Sequence, residues 1–185
     1  MPRFFAFLRA VNVGGRRVKM EELRRVFESL GFSSVETFIA SGNVVFDAAR
    51  GEAARLEGRI EEALRGALGY EVTTFVRTRE ELASVAACEP FGREADGAAA
   101  LNVAFLKEAP GQGAASKLSA LKTEADDFRL RGREVYWLCR TRQSESAFSN
   151  ALLEKTLGLR ATLRGVPTVR KMAEKYAAPG ARSSG

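Results

Sequence analysis

Residues 3–9 read Arg-Phe-Phe-Ala-Phe-Leu-Arg, and residues 101–107 read Leu-Asn-Val-Ala-Phe-Leu-Lys. Both stretches are short and rich in apolar residues, which is typical of a strand covered on both faces. They lie 98 residues apart, and three later matches follow in the same order at spacings of 90, 89 and 87 residues. This slow drift indicates a tandem duplication. The three later pairs are Gly42–Phe46 with Gly132–Tyr136, Leu68–Tyr70 with Leu157–Leu159, and Arg77 with Arg164.

Each half predicts strands and helices in the order β-α-β-β-α-β, followed by an extra helix. Apolar residues at helical spacing mark the helices, and Thr78 with Glu81 forms a capping box at the start of one of them. The predicted fold is therefore α+β, a tandem duplication of a ferredoxin-like unit whose two halves share a core. The predicted strands are Arg3–Leu8, Val35–Ile39, Asn43–Phe46, Glu71–Arg77, Leu101–Leu106, Phe128–Leu130, Val135–Cys139 and Ala161–Arg164.

The expected domain limits follow from this repeat. The first half covers residues 1–88, a linker with Pro90, Gly92 and Gly97 covers 89–98, and the second half covers 99–177. Residues 178–185 are expected to be a disordered tail. The residues expected in the shared core are Phe7, Leu8, Val44, Phe46, Phe105, Val135 and Leu138.

Composition restricts the chemistry. The 185 residues are 45% hydrophobic, contain no histidine, and contain two cysteines, Cys88 and Cys139. Without histidine the commonest general base and metal ligand is missing, so we expect no metal and no cofactor. The sequence shows no signal peptide and no long apolar run, which favours a cytoplasmic protein without membrane contact. The oligomeric state does not follow from the sequence.

The net charge is +6, with 22 arginines against 7 lysines. The planar guanidinium fork suits recognition of phosphate or carboxylate. The excess of arginine also fits the base composition of a gene that encodes many alanines and glycines. A charge of +6 on this length predicts moderate attraction to polyanions, not a surface dedicated to nucleic acid.

Topology joins two polar loops of the first half. In the predicted unit the exit of the first strand lies at the same end of the sheet as the turn between the second and third strands. Residues 9–17 and 40–43 therefore meet there, and they supply two glycine amides, two asparagines, one serine and three arginines. This set can bind an anion through backbone amides and guanidinium groups.

Two other interpretations of these residues remain open. Gly-Gly and Ser-Gly-Asn are ordinary turn formers, and the Gly-Gly-Arg-Arg sequence matches neither a P-loop nor a dinucleotide fingerprint. Ferredoxin-like sheets also bind RNA through aromatics on two strands, where Phe5, Phe7 and Phe46 lie. The absence of an alternating basic and aromatic third strand favours a core role for these three residues instead.

The chain resembles the bacterial family known as domain of unknown function 1697. The resemblance rests on Phe7–Gly15, Val18–Met20, Ser41–Phe46 and Phe148–Lys155, and it spans nearly the whole chain. It implies a duplicated α+β fold and no established activity. The family motif positions fall on Arg9, Asn12, Gly14, Gly15, Lys19, Met20, Ser41, Gly42 and Asn43.

The chain departs from the family pattern near its C-terminus. Arg164 and Thr168 remain there as second-half candidates, whereas a tryptophan and two asparagines common in the family are replaced. Ala147 also stands where the family usually has lysine.

Three functions follow as hypotheses. The first is a binding protein for a phosphorylated small molecule or a nucleic-acid backbone at Arg9, Asn12, Gly14, Gly15, Lys19, Ser41, Gly42 and Asn43. The second is a histidine-independent enzyme that acts on a phosphorylated or carboxylate metabolite at the same loops, with catalytic residues unknown. The third is a structural or interaction module without a small ligand.

Overall fold

The computed structural model describes residues 1–12, 14–50 and 53–178, with the side chains of Ser41 and Ala53 excepted. Residues 179–185 of the predicted tail therefore lie outside the described residues. The described chain forms eight strands, six α-helices and two short 3-10 helices. The strands are β1 (Arg3–Leu8), β2 (Ser33–Phe38), β3 (Ala40–Asp47), β4 (Thr74–Thr78), β5 (Ala100–Leu106), β6 (Asp126–Arg131), β7 (Glu134–Cys139) and β8 (Ala161–Gly165). The helices are α1 (Met20–Ser29), α2 (Ala53–Leu68), α3 (Arg79–Ala87), α4 (Ala114–Ser119), α5 (Asn150–Leu157) and α6 (Val166–Tyr176).

Two compact units divide the chain. The first unit holds Met1–Ser84 and the segment from Met172 onward, and the second holds Val85–Lys171. Each unit contains one four-stranded antiparallel sheet, in the order β2-β3-β1-β4 or β6-β7-β5-β8. The matching orders are consistent with a duplicated two-unit α+β fold.

The first sheet is buried on both faces because its central strands carry continuous apolar runs, Phe4–Leu8 in β1 and Val44–Phe46 in β3. On one face Phe4, Ala6 and Phe46 pack with residues of α1 and α2 such as Leu23 and Ile60. On the other face Phe5 and Phe7 are 0% and 1% exposed. Bases cannot stack on rings that solvent does not reach, so the RNA-binding sheet surface is excluded. All seven residues expected in the core are buried.

The second unit builds its helix-covered core in the same way. Ala104 and Leu106 of β5 and Val135 of β7 pack with Leu118 and Leu153 from α4 and α5. The free cysteine Cys139 belongs to this core, and Cys88 is also free.

Carboxylates from helices occupy the outer edge of β4. The backbone N–H groups of Thr74 and Val76 donate to Glu61 and Glu57 of α2, each at 2.9 Å. The N–H of Thr78 donates to Glu81 of α3 at 2.8 Å. These bonds satisfy outward donors of an edge strand that would otherwise be open to another chain.

The end of α6 is anchored in the first unit through Tyr176. The phenol donates to Glu36 at 2.7 Å, and its ring makes edge contacts with Phe5 and Phe38. Burial and the neighbouring Glu36 raise the pKa of Tyr176 although Lys175 opposes them. Arg79 also donates to the carbonyl groups of Ala177 and Ala178, which holds the chain just after α6.

Several helix ends have the capping contacts that their local sequence indicates. Thr78 and Glu81 form the predicted capping box, with the Glu81 N–H donating to the Thr78 hydroxyl at 3.2 Å. Ser149 caps α5 by accepting from the N–H of Leu152, and Gly158 ends that helix in the left-handed region. Within the described residues, no helix is long and apolar enough to cross a membrane.

Asp126 and Asp127 begin β6, and both are buried. Asp126 accepts from the Trp137 indole at 2.8 Å and from the Ser146 hydroxyl at 2.7 Å. Burial alone raises the pKa of Asp127, but the Phe128 N–H, Arg129 and Lys122 outweigh it and lower the pKa below 3.8. No cluster of metal-binding side chains occurs in the described chain.

The Glu61 contact predicts a stability effect. Replacing Glu61 by Ala leaves the N–H of Thr74, a fully buried residue, without that acceptor, so unfolding free energy should fall by about 1–3 kcal/mol. Glu62→Ala, at an exposed neighbour in the same helix, is the matched control and should change it far less. Urea denaturation of the three proteins measures both values. Equal stability of the two variants would contradict the edge-strand role.

The Asp127 network predicts a pH dependence. Because the folded pKa lies below the unfolded value, the carboxylate stabilises the fold above pH 3.8 and this contribution disappears as pH falls through the folded pKa. Asp127→Asn should therefore be less stable than the wild type at neutral pH, and the difference should shrink below pH 3.8. Thermal melts of both proteins across this range measure it. A difference that does not vary with pH would contradict the prediction.

Candidate functional site

The segment between β1 and α1, residues 9–19, forms the candidate site and is called here the basic loop. It leaves the sheet where β1 ends, and Phe7 pairs there with Asn43 of β3. The exit of β1 and the β2–β3 hairpin thus share one end of the sheet, as the predicted topology requires.

Hydrogen bonds hold the basic loop in place. The Asn12 side-chain oxygen accepts from the N–H of Val18 at 2.8 Å and closes the loop on itself. Tyr70 lies just after α2, and its hydroxyl donates to the carbonyl of Val11 at 2.9 Å. The Arg9 N–H donates to the carbonyl of Thr73 at 2.9 Å. The loop is therefore tied to the segment between α2 and β4 as well as to its own end.

Arg16 lies on the face of Tyr70. The centre of its guanidinium is 4.2 Å from the ring centroid, which is a cation–π contact. Since the Tyr70 hydroxyl is itself bonded to Val11, the ring is a fixed platform. The contact with the ring restricts the mobility of the Arg16 guanidinium, which is exposed and carries five N–H donors.

Gly14 and Gly15 stand at the apex of the loop. Their φ values are +67° and +80°, which side-chain-bearing residues rarely adopt. Both are exposed, and within the described residues neither amide donates to a protein acceptor. An open depression of about 520 Å³ lies beside them, lined by Asn12, Gly15, Arg16, Arg17 and Val18.

The charge around this depression is mainly positive. Arg16, Arg17 and Lys19 are exposed, and no ion pair involves them in the described part of the chain. Lys19 precedes α1, whose N-terminus has no side-chain cap. Two carboxylates follow in the first turn of α1. Glu21 is paired with Arg25 at 2.5 Å, and Glu22 is exposed.

The hairpin departs from the prediction. Ser41 and Gly42 were expected to form the turn, but they belong to β3, and the chain reverses at Ile39 instead. Asn43 is only 2% exposed, and its side chain donates to the carbonyl of Phe38 at 3.1 Å. Asn43 therefore stabilises the hairpin from inside the sheet. The Ser41 side chain is not among the described parts of the structure.

The second-half candidates belong to the second unit. Arg164 of β8 donates to the Thr162 hydroxyl and the Leu163 carbonyl, each at 2.8 Å. Burial lowers the pKa of Arg164 to about 10, so it remains a cation at neutral pH. Thr168 lies in the first turn of α6. These contacts give Arg164 a structural role at the edge of its sheet.

Tyr70 is the residue that the sequence did not indicate. It follows Gly69 at the end of α2, and nothing in its neighbours along the chain points to the basic loop. Its role arises from the packing of α2 beside β4, which brings residue 70 to residues 11 and 16. No pattern in a single sequence encodes that approach.

Fold and loop define an α+β protein with two four-stranded antiparallel sheets and an open, basic loop after its first strand. The chain belongs to the family described as "Protein of unknown function (DUF1697)", whose model matches residues 1–136. It is also similar in fold to the conserved bacterial protein SP0830 from Streptococcus pneumoniae. That likeness has a TM-score of 0.74 and 22% identity, and it covers 94% of this chain and 97% of the other. No curated protein matches the chain significantly.

The buried position of Asn43 predicts a loss of stability on substitution. Asn43→Ala removes a donor from the Phe38 carbonyl and leaves space in a buried part of the sheet. The melting temperature should therefore fall, with a loss of about 1–3 kcal/mol in unfolding free energy. A scanning calorimetry comparison with wild type measures this. An unchanged melting temperature would show that Asn43 is available for a role other than holding the hairpin.

Proposed function

We propose that this protein binds a phosphate-bearing ligand at the basic loop. The observation that carries the proposal is the pair of exposed Gly14 and Gly15 amides, which have no protein acceptor among the described residues, beside Arg16, whose guanidinium lies over the ring of Tyr70. Amides and a guanidinium fork around one depression are the donors that an oxyanion requires. Arg17 and Lys19 supply further positive charge.

Phosphate suits this set of donors better than a single carboxylate. The depression of about 520 Å³ is larger than one small ion requires, so the ligand carries an organic part beyond its phosphate. The loop offers backbone and side-chain donors, and a phosphate monoester has three oxygens to accept from them. Carboxylate has two oxygens and would leave donors unused.

Two finer structural statements accompany this proposal. We infer that the chain arose by duplication of a ferredoxin-like β-α-β-β-α-β repeat, with the two halves of the sequence at residues 1–88 and 99–177. The shared strand order and the four matched segments support this. We also infer that Asn12 and the hairpin at Ser41, Gly42 and Asn43 border one site. The pairing of Phe7 with Asn43 supports that placement.

Lys19 tests the electrostatic part of the proposal. Lys19→Ala should weaken binding of a nucleoside monophosphate by about 1–3 kcal/mol, the scale of hydrogen bonds to charged groups. Lys117→Ala, on an exposed position of α4 in the second unit, is the charge-matched control. Isothermal titration at low and high salt measures both, and salt should weaken the wild-type affinity. Equal affinities of the two variants would argue against Lys19 as a ligand contact.

Gly15 tests the amide contribution. Nothing lies within 4 Å of an added Cβ at Gly15, so Gly15→Val acts through the φ of +80° and by covering the loop amides. Its effect on affinity should exceed that of Lys19→Ala. Gly97→Val imposes the same kind of strain at φ +74° in an open position of the second unit and is the matched control. If Gly97→Val and Gly15→Val bind the ligand equally well, the amides have no part in binding.

A further inference from the structure

Two apolar side chains stand exposed at the same end of the first sheet as the basic loop. Met20 is 54% exposed and Ile39 is 64% exposed, and Met1 is the remaining exposed large hydrophobic side chain in the described chain. The Thr37 hydroxyl donates to the sulfur of Met20 at 3.2 Å, and Ile39 follows two residues later at the hairpin. Met20 and Ile39 therefore border one end of the hairpin.

The backbone at Ile39 is strained. Its φ is +64°, in the left-handed region, where a β-branched residue is a genuine outlier. Glycine or asparagine at this turn would remove the strain and would place no apolar group in water. A strained apolar side chain held out at the apex of a hairpin is typical of a contact residue.

Cations lie on either side of this apolar pair. Lys19 precedes Met20, and Lys175 lies 5.8 Å from the ring centroid of Phe38, the neighbour of Ile39. The carboxylates nearby are partly engaged, since Glu36 accepts from Tyr176 and Glu21 pairs with Arg25. Glu22 is exposed and opposes the cations locally. Lys19, Met20, Ile39 and Lys175 are called here the hairpin-tip surface.

We propose that the hairpin-tip surface and the basic loop together bind single-stranded nucleic acid. This inference rests on the proposed function, because the basic loop supplies the phosphate contacts. A single strand presents in every residue both a phosphate and an unstacked base face. The described chain presents cations and exposed amides in the basic loop and two apolar side chains beside it, so groups suited to phosphates and groups suited to base faces lie next to each other.

The spacing of the basic residues favours a ligand with successive phosphates over a ligand with a single phosphate. Residues 16–19 are neither helical nor in a turn. In an extended segment alternate residues lie about 6.6 Å apart, so Arg17 and Lys19 can reach successive phosphates. Double-stranded nucleic acid hides its base faces in stacks and would leave Ile39 and Met20 without a partner. An acidic peptide would need apolar residues at fitting positions, whereas a nucleic-acid strand carries base faces throughout.

The test uses the full chain and a fluorescently labelled 12-nucleotide single-stranded RNA of mixed sequence, followed by anisotropy. Wild type should bind it at least tenfold more tightly than it binds a nucleoside monophosphate. The slope of log affinity against log salt should be about −2 to −3, since three to four phosphates are contacted. Ile39→Gly and Ile39→Asn should each weaken binding about tenfold, because they remove an apolar side chain that the RNA would cover.

Ser34→Gly is the matched control for backbone relief. Ser34 is an exposed residue of β2 with φ +50°, so glycine relieves strain there without removing an apolar side chain. It should leave RNA affinity unchanged. The melting temperatures of both Ile39 variants should not fall below wild type, so a loss of RNA binding cannot be ascribed to unfolding. Lys175→Ala should reduce the salt slope by about 0.7.

The outcomes of these measurements distinguish failure of the RNA-binding inference from failure of the phosphate site. RNA affinity within twofold of the monophosphate affinity, or unchanged on Ile39→Gly, overturns this inference and leaves the phosphate site standing. Equal binding of a duplex of the same length, or of a poly-glutamate peptide of equal charge, overturns it in favour of a general polyanion surface. Binding of neither RNA nor monophosphate overturns both proposals together.

Discussion

The packing of α2 along the outer edge of β4 is the contact on which the candidate site depends. Glu57 and Glu61 lie one helical turn apart and accept from N–H groups two residues apart on the strand. One turn of helix rises 5.4 Å and two strand residues rise about 6.6 Å, so the two spacings nearly match. The paired bonds define the position of the helix along the strand. The same contact leaves the edge of the sheet without free donors at these positions.

That position determines where Tyr70 lies, and Tyr70 determines the shape of the basic loop. Only Gly69 separates Tyr70 from the end of α2. A shift of this helix would therefore move the phenol away from the Val11 carbonyl and the ring away from Arg16. A loop with two glycines in the left-handed region would otherwise sample many conformations, because glycine loses more entropy on ordering than other residues. Asn12 closes the same loop from within. A preorganised set of donors binds an anion with a smaller entropic loss than a mobile one.

The second unit uses the same device with different residues. Glu154 of α5 accepts from the N–H of Ala161 in the edge strand β8 at 3.1 Å, and also from the Asn150 side chain at 3.2 Å. Before α6, however, the chain has Gly165 at the position that Thr78 of the capping box occupies before α3. The two units therefore share the edge contact and differ at the helix start that follows it. The loop after β5 also lacks the Gly-Gly-Arg-Arg sequence, which gives the first unit alone the set of donors described above.

The order of strands and helices and the core residues were determined by the sequence, because each rests on local periodicity and on apolar residues that have to be buried. The strand order common to both sheets, the capping box at Thr78 and the buried Phe5 and Phe7 all follow from such patterns. The hairpin was misassigned because Ser-Gly is a common turn pair, whereas the chain reverses at Ile39 against its steric preference. The surroundings of Asp126 could not be predicted because its partners, Trp137 and Ser146, lie 11 and 20 residues further along the chain. The role of Tyr70 could not be predicted for the same reason. Its contacts span 54 to 59 residues of sequence and exist only after α2 has packed on β4, so tertiary structure alone decided which side chains surround the basic loop.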